Sequence, residues 1–210
     1  TRLQVEHPVT EMVTGLDLVA EQLRVAAGEP LSFGDHPPEP RGWAIEARIL
    51  AEDPAAGFLP SAGRIERVRF PQGPGVRNDA GVYRGYEIPV HYDSLISKLV
   101  VWGADREQAR RRLLRALDEF VLEGVHQNIA FHRWLAGHPE FAAGRLSTRF
   151  LDEHFEPGAL APSREAGEVA VLAAALHARE ERMRVTFAAE DGGLRSNWRW
   201  APRDRGDDKR

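Results

Sequence analysis

Residues 43–54 read WAIEARILAEDP, and apolar and polar positions alternate along residues 43–50. An alternation with period two predicts a β-strand whose apolar side faces the core. The apolar side carries Trp43, Ile45, Ala47 and Ile49, whereas the opposite side carries Glu46 and Arg48. Neighbouring opposite charges usually form a surface ion pair worth roughly 0–1 kcal/mol, so this pair alone indicates no function.

Further strands are predicted downstream of this segment. The chain becomes rich in Gly and Pro, and its apolar pieces at residues 65–70 and 82–86 predict short antiparallel strands joined by turns. Residues 95–102 predict a longer, more apolar strand that contains Lys98. We expect a structural ion pair from Asp93 to Lys98 or to a neighbouring cation.

Helices are predicted in the second half of the chain. Asp105 and Gln108 have capping-box spacing, and apolar residues recur at helical spacing behind them. Asn128 is interpreted as the cap of a further helix. A short helix is expected near residues 148–154, and the Ala-rich residues 165–183 predict another on propensity.

The start of the chain carries a second alternating stretch, TRLQVEHPVTE at residues 1–11. Its pattern predicts a strand that places three polar side chains on one face: Arg2, Gln4 and Glu6. Thr14 and Asp17 have the spacing of a capping box and predict a helix after the strand. Because the chain begins at Thr1 directly in this motif, we expect it to be a piece of a longer protein.

The three polar residues of the first stretch suit the chemistry of a small oxyanion. An arginine offers a planar fork of donors to a trigonal anion, and a glutamine adds a neutral donor. A glutamate beside an anion is unusual unless it accepts a proton, as a general base does. The alternative is a solvated strand face with an Arg–Glu ion pair, which is the commoner meaning of this spacing alone.

Composition excludes several classes of function. The 28 Lys and Arg against 32 Asp and Glu give a net charge of −4, which argues against a nucleic-acid partner. No apolar run is long enough to cross a membrane, so no membrane partner is expected. The chain has no cysteine, which excludes a disulfide framework, a thiolate zinc site and a cysteine nucleophile and fits a cytoplasmic protein. Its histidines show no metal-ligand spacing, and we expect no metal held by this chain alone.

Composition also predicts where the chain divides. Residues 36–40 are rich in proline, and a second linker-like stretch follows residue 155. We therefore expect a first segment at residues 1–35, a domain at residues 36–155, and a linker, Ala-rich helix and charged tail at residues 156–210.

The motifs resemble those of biotin carboxylases. Residues 1–11 are similar to one signature of that family and residues 46–54, EARILAEDP, to a second. Further matching strings are FLPSAG at 58–63, YDSLISK at 92–98 and LEGVHQN at 122–128. The resemblance covers about residues 1–155. It implies an α+β fold, in which the end of an ATP-grasp domain precedes a biotin carboxylase C-terminal domain with an antiparallel sheet and flanking helices.

The resemblance also implies a reaction and its residues. Biotin carboxylases use ATP and bicarbonate to form carboxyphosphate, and then carboxylate a ureido nitrogen of biotin on a carrier. By matching position, bicarbonate would be bound by Arg2, Gln4, the Val5 backbone and Arg48. Glu6 would deprotonate the bicarbonate, Arg2 would help to orient the reacting groups, and Arg48 would stabilise an enolate-like form of biotin. Thr148 matches a position that lines the adenine site.

The parts of the family that hold ATP and Mg²⁺ (or Mn²⁺) precede the first signature, so this chain alone is expected to be inactive. The implied partners are a biotin carboxyl carrier protein or domain, a second copy in a homodimer and a carboxyltransferase subunit. Residues 156–210 resemble the segment after the carboxylase in acyl-CoA carboxylase α subunits, of acetyl-CoA or propionyl-CoA type. Two alternatives stay open: a part of pyruvate carboxylase, or an inert dimerisation or scaffold module.

Overall fold

A computed structural model describes residues 2–89, 91–161 and 163–183. The chain separates into two compact units, Thr1–Ala161 and Pro162–Arg210. The helices of the first unit are α1 (His7–Thr14), α2 (Leu18–Ala26), α3 (Arg106–Glu119), α4 (Ile129–Gly137), α5 (Pro139–Ala142) and α6 (Phe150–His154). The second unit contains α7 (Arg164–Met183), close to the predicted bounds of the Ala-rich helix.

All of the described strands belong to the first unit. They are β1 (Trp43–Leu50), β2 (Glu52–Asp53), β3 (Leu59–Pro60), β4 (Gly63–Arg64), β5 (Arg67–Arg69), β6 (Val76–Ala80), β7 (Glu87–Ile88), β8 (Leu95–Gly103) and β9 (Val121–Glu123). The strand predicted over residues 43–50 is confirmed, and so is the strand predicted over 95–102. The mixture of helices and antiparallel strands confirms the expected α+β class.

The main sheet is antiparallel, with strand order β1-β8-β6. Its apolar face packs against α3, since buried aliphatic side chains alternate along β1 and β8 and recur at helical spacing on α3. The shared core includes Ala47, Ile49, Leu99, Val101, Leu113, Ala116 and Leu117. Gly103 permits the close approach of β8 to α3, because a Cβ there would overlap the backbone of Gln108 and Ala109. The opposite face of this sheet is polar and carries the candidate site.

Short ladders surround the main sheet, and here the predictions were partly wrong. Strands β2 and β3, β4 and β7, and β5 and β9 form antiparallel pairs. The piece at residues 82–86 is not a strand, since Tyr86 N–H bonds back to the Tyr83 carbonyl in a turn. Strand β9 was missed because it is short and directly follows α3.

The strand predicted at the start of the chain is wrong. Residues 2–4 are irregular, and the turn at residues 5–6 leads into α1, where Pro8 occupies the first helical turn. Pro needs no backbone donor at this position, and it is preorganised for the helix. The alternation of exposure nevertheless persists, because Leu3 and Val5 are half-buried and Arg2, Gln4 and Glu6 are exposed.

Some of the helix caps predicted from the sequence are present in the structure, and others are not. Asp105 caps α3 as predicted, accepting a hydrogen bond from Gln108 N at 2.7 Å. Asp17 alone caps α2, whereas Thr14 ends α1 and donates to the Thr10 carbonyl. Asn128 precedes α4 but makes no side-chain capping bond. Among the described helices, none has the length and apolar character that crossing a bilayer requires.

Candidate active site

The polar face of the main sheet brings together charged residues of all three strands. Register aligns Arg48 of β1 with Lys98 of β8, and Lys98 with Asp79 of β6. Cross-strand partners project to the same face, so these side chains form a row. Helix α1 lies on this face, because its residue Glu11 and the preceding Glu6 both pair with side chains that rise from it.

Glu6 and Arg48 are joined across 42 residues of sequence. Arg48 Nη2 donates to Glu6 Oε2 at 3.0 Å, and both side chains are about half exposed, at 47% for Arg48 and 59% for Glu6. An exposed pair of this kind contributes little to stability. Its importance lies in placing a carboxylate and a guanidinium beside each other where a small substrate has access.

Glu46 is the buried neighbour of this pair. Its side chain is only 6% exposed, and Oε1 accepts a hydrogen bond from Arg48 Nε at 3.4 Å. Burial raises the pKa of Glu46 above its ordinary value, and the hydrogen bond from Arg48 offsets that rise only in part. Oε2 of Glu46 is buried with no hydrogen-bond partner among the described residues. Arg48 therefore has one carboxylate at the surface and a second beneath it.

A second ion-pair network fixes α1 to the sheet. Arg77 of β6 donates to Glu11 Oε2 at 2.6 Å and to both carboxylate oxygens of Asp79, at 2.8 and 2.9 Å. Lys98 Nζ lies 3.3 Å from Asp79 Oδ2. Burial acts against ionisation of Asp79, but the bonds from Arg77 and the charge of Lys98 prevail and lower its pKa. The expected pairing of Lys98 with Asp93 is wrong, since Asp93 Oδ1 instead accepts from Leu95 N in its own turn.

The backbone of β1 at Arg48 is held by two side chains of the segment that starts α4. The Arg48 carbonyl accepts from Asn128 Nδ2 at 3.1 Å and lies 2.9 Å from His132 Nε2. Asn128 Oδ1 accepts from Leu50 N at 2.9 Å. Asn128 occupies the N-cap position of α4 as predicted, but its side-chain amide bonds to the strand edge and makes no capping bond. The sequence analysis did not identify His132. The one sign of its role in the sequence is that it follows Asn128 by four residues.

Two cavities open on either side of the Glu6–Arg48 pair. A cavity of about 710 Å³ is lined by the first residues of the chain and by α2, including Arg2, Gln4, Glu6 and His7. A second cavity of about 400 Å³ is lined by β1 and α4, including Glu46, Arg48, Asn128 and His132. The three polar residues predicted to act together thus share one cavity, and Arg48 lines the other.

Val5 and Thr148 are the remaining residues that the sequence predicted for the site. Val5 is half-buried in the turn before α1, and the Gln4 carbonyl accepts from His7 N at 3.2 Å. Thr148 is exposed in the turn before α6 and is not among the residues that line either cavity. Within the described residues, no group of three or more His, Asp or Glu side chains has the arrangement of a metal site.

The arrangement can bind and deprotonate a small anion. The guanidiniums of Arg2 and Arg48 and the amide of Gln4 are donors to an oxyanion, and Glu6 is an accessible proton acceptor next to them. Glu46, buried under Arg48, adds negative charge that keeps the guanidinium oriented toward the surface pair.

Comparison with known proteins shows which family this chain resembles. Residues 46–153, about half of the chain, match the biotin carboxylase C-terminal domain. Residues 1–33 match the ATP binding domain of the carbamoyl-phosphate synthase L chain. A pyruvate carboxylase subunit of Methanothermobacter thermautotrophicus is 53% identical over 154 residues, which cover 73% of this chain and 31% of that protein.

Two further relatives extend the comparison. The propionyl-CoA carboxylase alpha chain of Ruegeria pomeroyi is 42% identical over 225 residues, covering 95% of this chain and 33% of that one. The biotin carboxylase domain dimer of Hydrogenobacter thermophilus 2-oxoglutarate carboxylase, solved with MgADP, ADP and bicarbonate, superposes with a TM-score of 0.74 at 44% identity. That match covers 78% of this chain and 36% of the solved one, so the chain spans about a third of the length of these relatives. From the shared sequence and fold, the chain belongs to the biotin carboxylase C-terminal domain family.

Proposed function

We propose that this chain supplies the bicarbonate- and biotin-facing part of a biotin carboxylase. The observation that carries the proposal is the 3.0 Å contact between Glu6 and Arg48, two residues from separate motifs of the chain. A proton acceptor and a guanidinium at one place suit a reaction that deprotonates one anion and then stabilises another. The complete enzyme would be an ATP-dependent ligase that forms a C–N bond.

In the first step, Glu6 takes the proton of bicarbonate, so that a bicarbonate oxygen attacks the γ-phosphorus of ATP. Carboxyphosphate forms, and the bond to the ADP oxygen breaks. Arg2, Gln4 and the Val5 N–H bind the anion and orient it for this attack. Their shared cavity with Glu6 supports this role.

In the second step, the bond between the carboxyl carbon and the phosphate oxygen of carboxyphosphate breaks, phosphate leaves, and the carboxyl group passes to a ureido nitrogen of biotin. The released phosphate takes the proton of that nitrogen. Negative charge develops on the ureido oxygen when that nitrogen loses its proton. Arg48 stabilises this charge. It lines the second cavity and contacts Glu6, which lines the first, and this supports a role toward both bicarbonate and biotin. Glu46 holds the orientation of the guanidinium during the step through its contact with Arg48 Nε.

ATP and magnesium or manganese would be held elsewhere in the complete enzyme. The described residues offer no cluster suited to a divalent cation. Thr148 is proposed to line the adenine site, on the resemblance alone. Residues 1–35 would complete an ATP-grasp domain, which the match of residues 1–33 supports, and residues 36–155 would form the next domain.

We further propose the acyl-CoA class of carboxylase, of propionyl-CoA or acetyl-CoA type. The match to the propionyl-CoA carboxylase alpha chain covers 95% of this chain, whereas the match to the pyruvate carboxylase relative covers 73%. The longer match takes in sequence from residues 156–210, which favours the acyl-CoA class over pyruvate carboxylase. Carboxylation assays of the reconstituted complex with propionyl-CoA, acetyl-CoA and pyruvate test this choice, and pyruvate as the preferred acceptor would contradict it.

The partners in this proposal are a biotin carboxyl carrier protein or domain, a second copy of the chain and a carboxyltransferase subunit. The dimeric 2-oxoglutarate carboxylase relative supports the homodimer. Sedimentation of the purified protein tests it, and a monomer at assay concentrations would contradict it. We propose the cytoplasm as the compartment. Cell fractionation tests this location.

The function is tested by ADP release from the complete enzyme of which this chain is proposed to be a part. Release is measured with and without bicarbonate and free biotin. Turnover that needs bicarbonate and rises with biotin is the expected result. The absence of turnover would contradict the proposal and favour the inert dimerisation or scaffold module.

A further inference from the structure

The outer edge of β1 carries an unusual set of hydrogen bonds at Arg48. Strand β1 pairs with β8 on one side, and the described sheet has no strand on its other side. On that open edge, the amide of Asn128 takes the place of a peptide group, because it donates to the Arg48 carbonyl and accepts from Leu50 N. The Asn128 N–H also donates to the Leu50 carbonyl at 3.3 Å. These contacts hold β1 where a neighbouring strand would otherwise do so.

His132 adds a second donor to the same carbonyl. A carbonyl oxygen accepts only, so the Nε2 atom at 2.9 Å carries the proton. Burial lowers the pKa of His132, which keeps the imidazole neutral. Asn128 is 3% exposed, and helix α4 places both residues one turn apart. Two independent donors therefore converge on one backbone atom of one residue.

The side chain of Arg48 depends on this backbone anchor. Nearly half of the side chain is exposed, and its two described side-chain partners, Glu6 and Glu46, are both on the guanidinium. The direction in which the guanidinium leaves the strand is set by the position of the Arg48 backbone, which the Asn128 and His132 bonds hold.

We propose that Asn128 and His132 are positioning residues for Arg48, and that they set the reach of its guanidinium toward the biotin ureido oxygen. This inference rests on the proposed function. Asn128 and His132 act by positioning Arg48 in the second step of the proposed reaction, the transfer of the carboxyl group to biotin. Loss of the His132 donor is expected to impair biotin-stimulated turnover more than bicarbonate-dependent ADP release without biotin.

The test uses the complete enzyme of the proposed function and compares His132→Leu with His132→Gln. The leucine variant removes the donor, whereas the glutamine amide restores a donor at nearly the same reach. The ratio of biotin-stimulated to biotin-independent ADP release is expected to fall about tenfold in the leucine variant, together with a rise in KM for biotin. The glutamine variant is expected to recover most of the ratio. Thermal unfolding of each variant reports any structural loss separately.

A second variant and a control complete the test. Asn128→Asp keeps the acceptor for Leu50 N but replaces the donor to Arg48 by a carboxylate oxygen, and a similar fall in the ratio is expected. His126→Gln is the matched control, since His126 is 73% exposed and contacts Asp53 at 3.7 Å, away from Arg48. Its ratio should equal that of the unsubstituted chain.

The outcomes separate this inference from the proposed function. Absence of turnover in the unsubstituted chain would contradict the function and the positioning role together. Turnover in the unsubstituted chain with both activities lost equally in His132→Leu, or with no rescue by glutamine, would overturn the positioning role alone. A selective fall in the ratio with rescue supports it.

Discussion

At the scale of single residues, the proposed reaction requires more of Glu6 and Arg48 than their mutual ion pair. In the proposed reaction, Glu6 would give up its contact with the guanidinium, or share it, on taking a proton from bicarbonate. Arg48 retains Glu46 as a second partner, so its charge stays compensated while Glu6 acts. A half-exposed ion pair is readily rearranged, which suits a pair that changes partners in a reaction.

The role of Glu6 leads to a first prediction. In the complete enzyme, Glu6→Gln should abolish carboxyphosphate formation, because the amide cannot accept the bicarbonate proton at neutral pH. Bicarbonate-dependent ADP release is expected to fall by at least about 10²-fold, in line with the loss of a general base. Thermal unfolding should be nearly unchanged, since the side chain is exposed. Full turnover in this variant would contradict the role.

The role of Arg48 leads to a second prediction. Arg48→Ala should impair biotin carboxylation more than bicarbonate-dependent ATP cleavage, because the guanidinium stabilises charge that develops on biotin. Both activities are measured on the same preparation, as ADP release and as carboxybiotin formed. Arg67→Ala is a suitable control, since Arg67 is exposed and pairs with Glu123 away from the site. Equal loss of both activities would count against the biotin role.

The partly buried imidazole of His132 leads to a third prediction, on pH. Burial lowers the pKa of His132 below its ordinary value of 6.5, so the unfolded chain binds this proton first as the pH falls. The stability due to neutral His132 is therefore full above pH 6.5 and declines as the pH falls toward its folded pKa. The free energy of unfolding is measured from about pH 8 to about pH 5 in the unsubstituted chain and in His132→Gln.

The glutamine variant should show a smaller loss of stability on acidification. Glu46 acts in the opposite sense, because its raised pKa makes stability decline as the pH rises above 4.5, but both proteins contain it. The difference between the two curves isolates the imidazole. Parallel curves would show that His132 is not buried in its neutral form.

At the scale of elements, α1 is the part that brings Glu6 to Arg48. Glu11 links three elements, since Oε1 accepts from Leu18 N of α2 at 2.9 Å and Oε2 accepts from Arg77 of β6. Its side chain is only 9% exposed. Because Glu11 anchors α1, the N-terminus of this helix and the turn before it can hold Glu6 beside β1, although this segment does not pair with a strand.

The anchoring of α1 leads to a fourth prediction. Glu11→Ala should lower the free energy of unfolding by about 1–3 kcal/mol, because Leu18 N loses its acceptor and Arg77 loses one of its two carboxylates. Denaturant unfolding measures the change. The matched control is Glu107→Ala, whose side chain is 50% exposed and which should change stability less than Glu11→Ala. An equal effect of the two substitutions would contradict the anchoring role.

At the scale of the whole molecule, the chain separates at residue 161. The core of β1, β8 and α3 lies within Thr1–Ala161, and so do Glu6, Arg48, Asn128 and His132. This unit has the buried aliphatic core that an independent domain requires.

This division leads to a fifth prediction. A chain that ends at Ala161 should unfold cooperatively at the same Tm as the chain Thr1–Arg210, because the core of the first unit is complete without the second. Differential scanning calorimetry of both chains measures this. A lower Tm for the shorter chain would show that the second unit stabilises the first.

How far the sequence predicts the fold differs from segment to segment. Strand β1, strand β8 and the cap of α3 follow from alternation and capping chemistry, which are local and depend on nearby residues alone. The segment at residues 2–6 also alternates, yet it is not a strand, since alternation reflects which side chains are buried and does not provide a hydrogen-bond partner. The same limit explains the error at residues 82–86.

The sequence by itself determined the polar side of β1, the alternating exposure of Arg2, Gln4 and Glu6, and the family through its motifs. These are properties of neighbouring positions in one segment. Tertiary structure alone decided that Glu6 pairs with Arg48, that Lys98 pairs with Asp79 rather than Asp93, and that Asn128 and His132 bind the Arg48 carbonyl. Each of these contacts joins separate segments, and its formation depends on how the sheet register and helix packing bring distant backbone positions within hydrogen-bond distance.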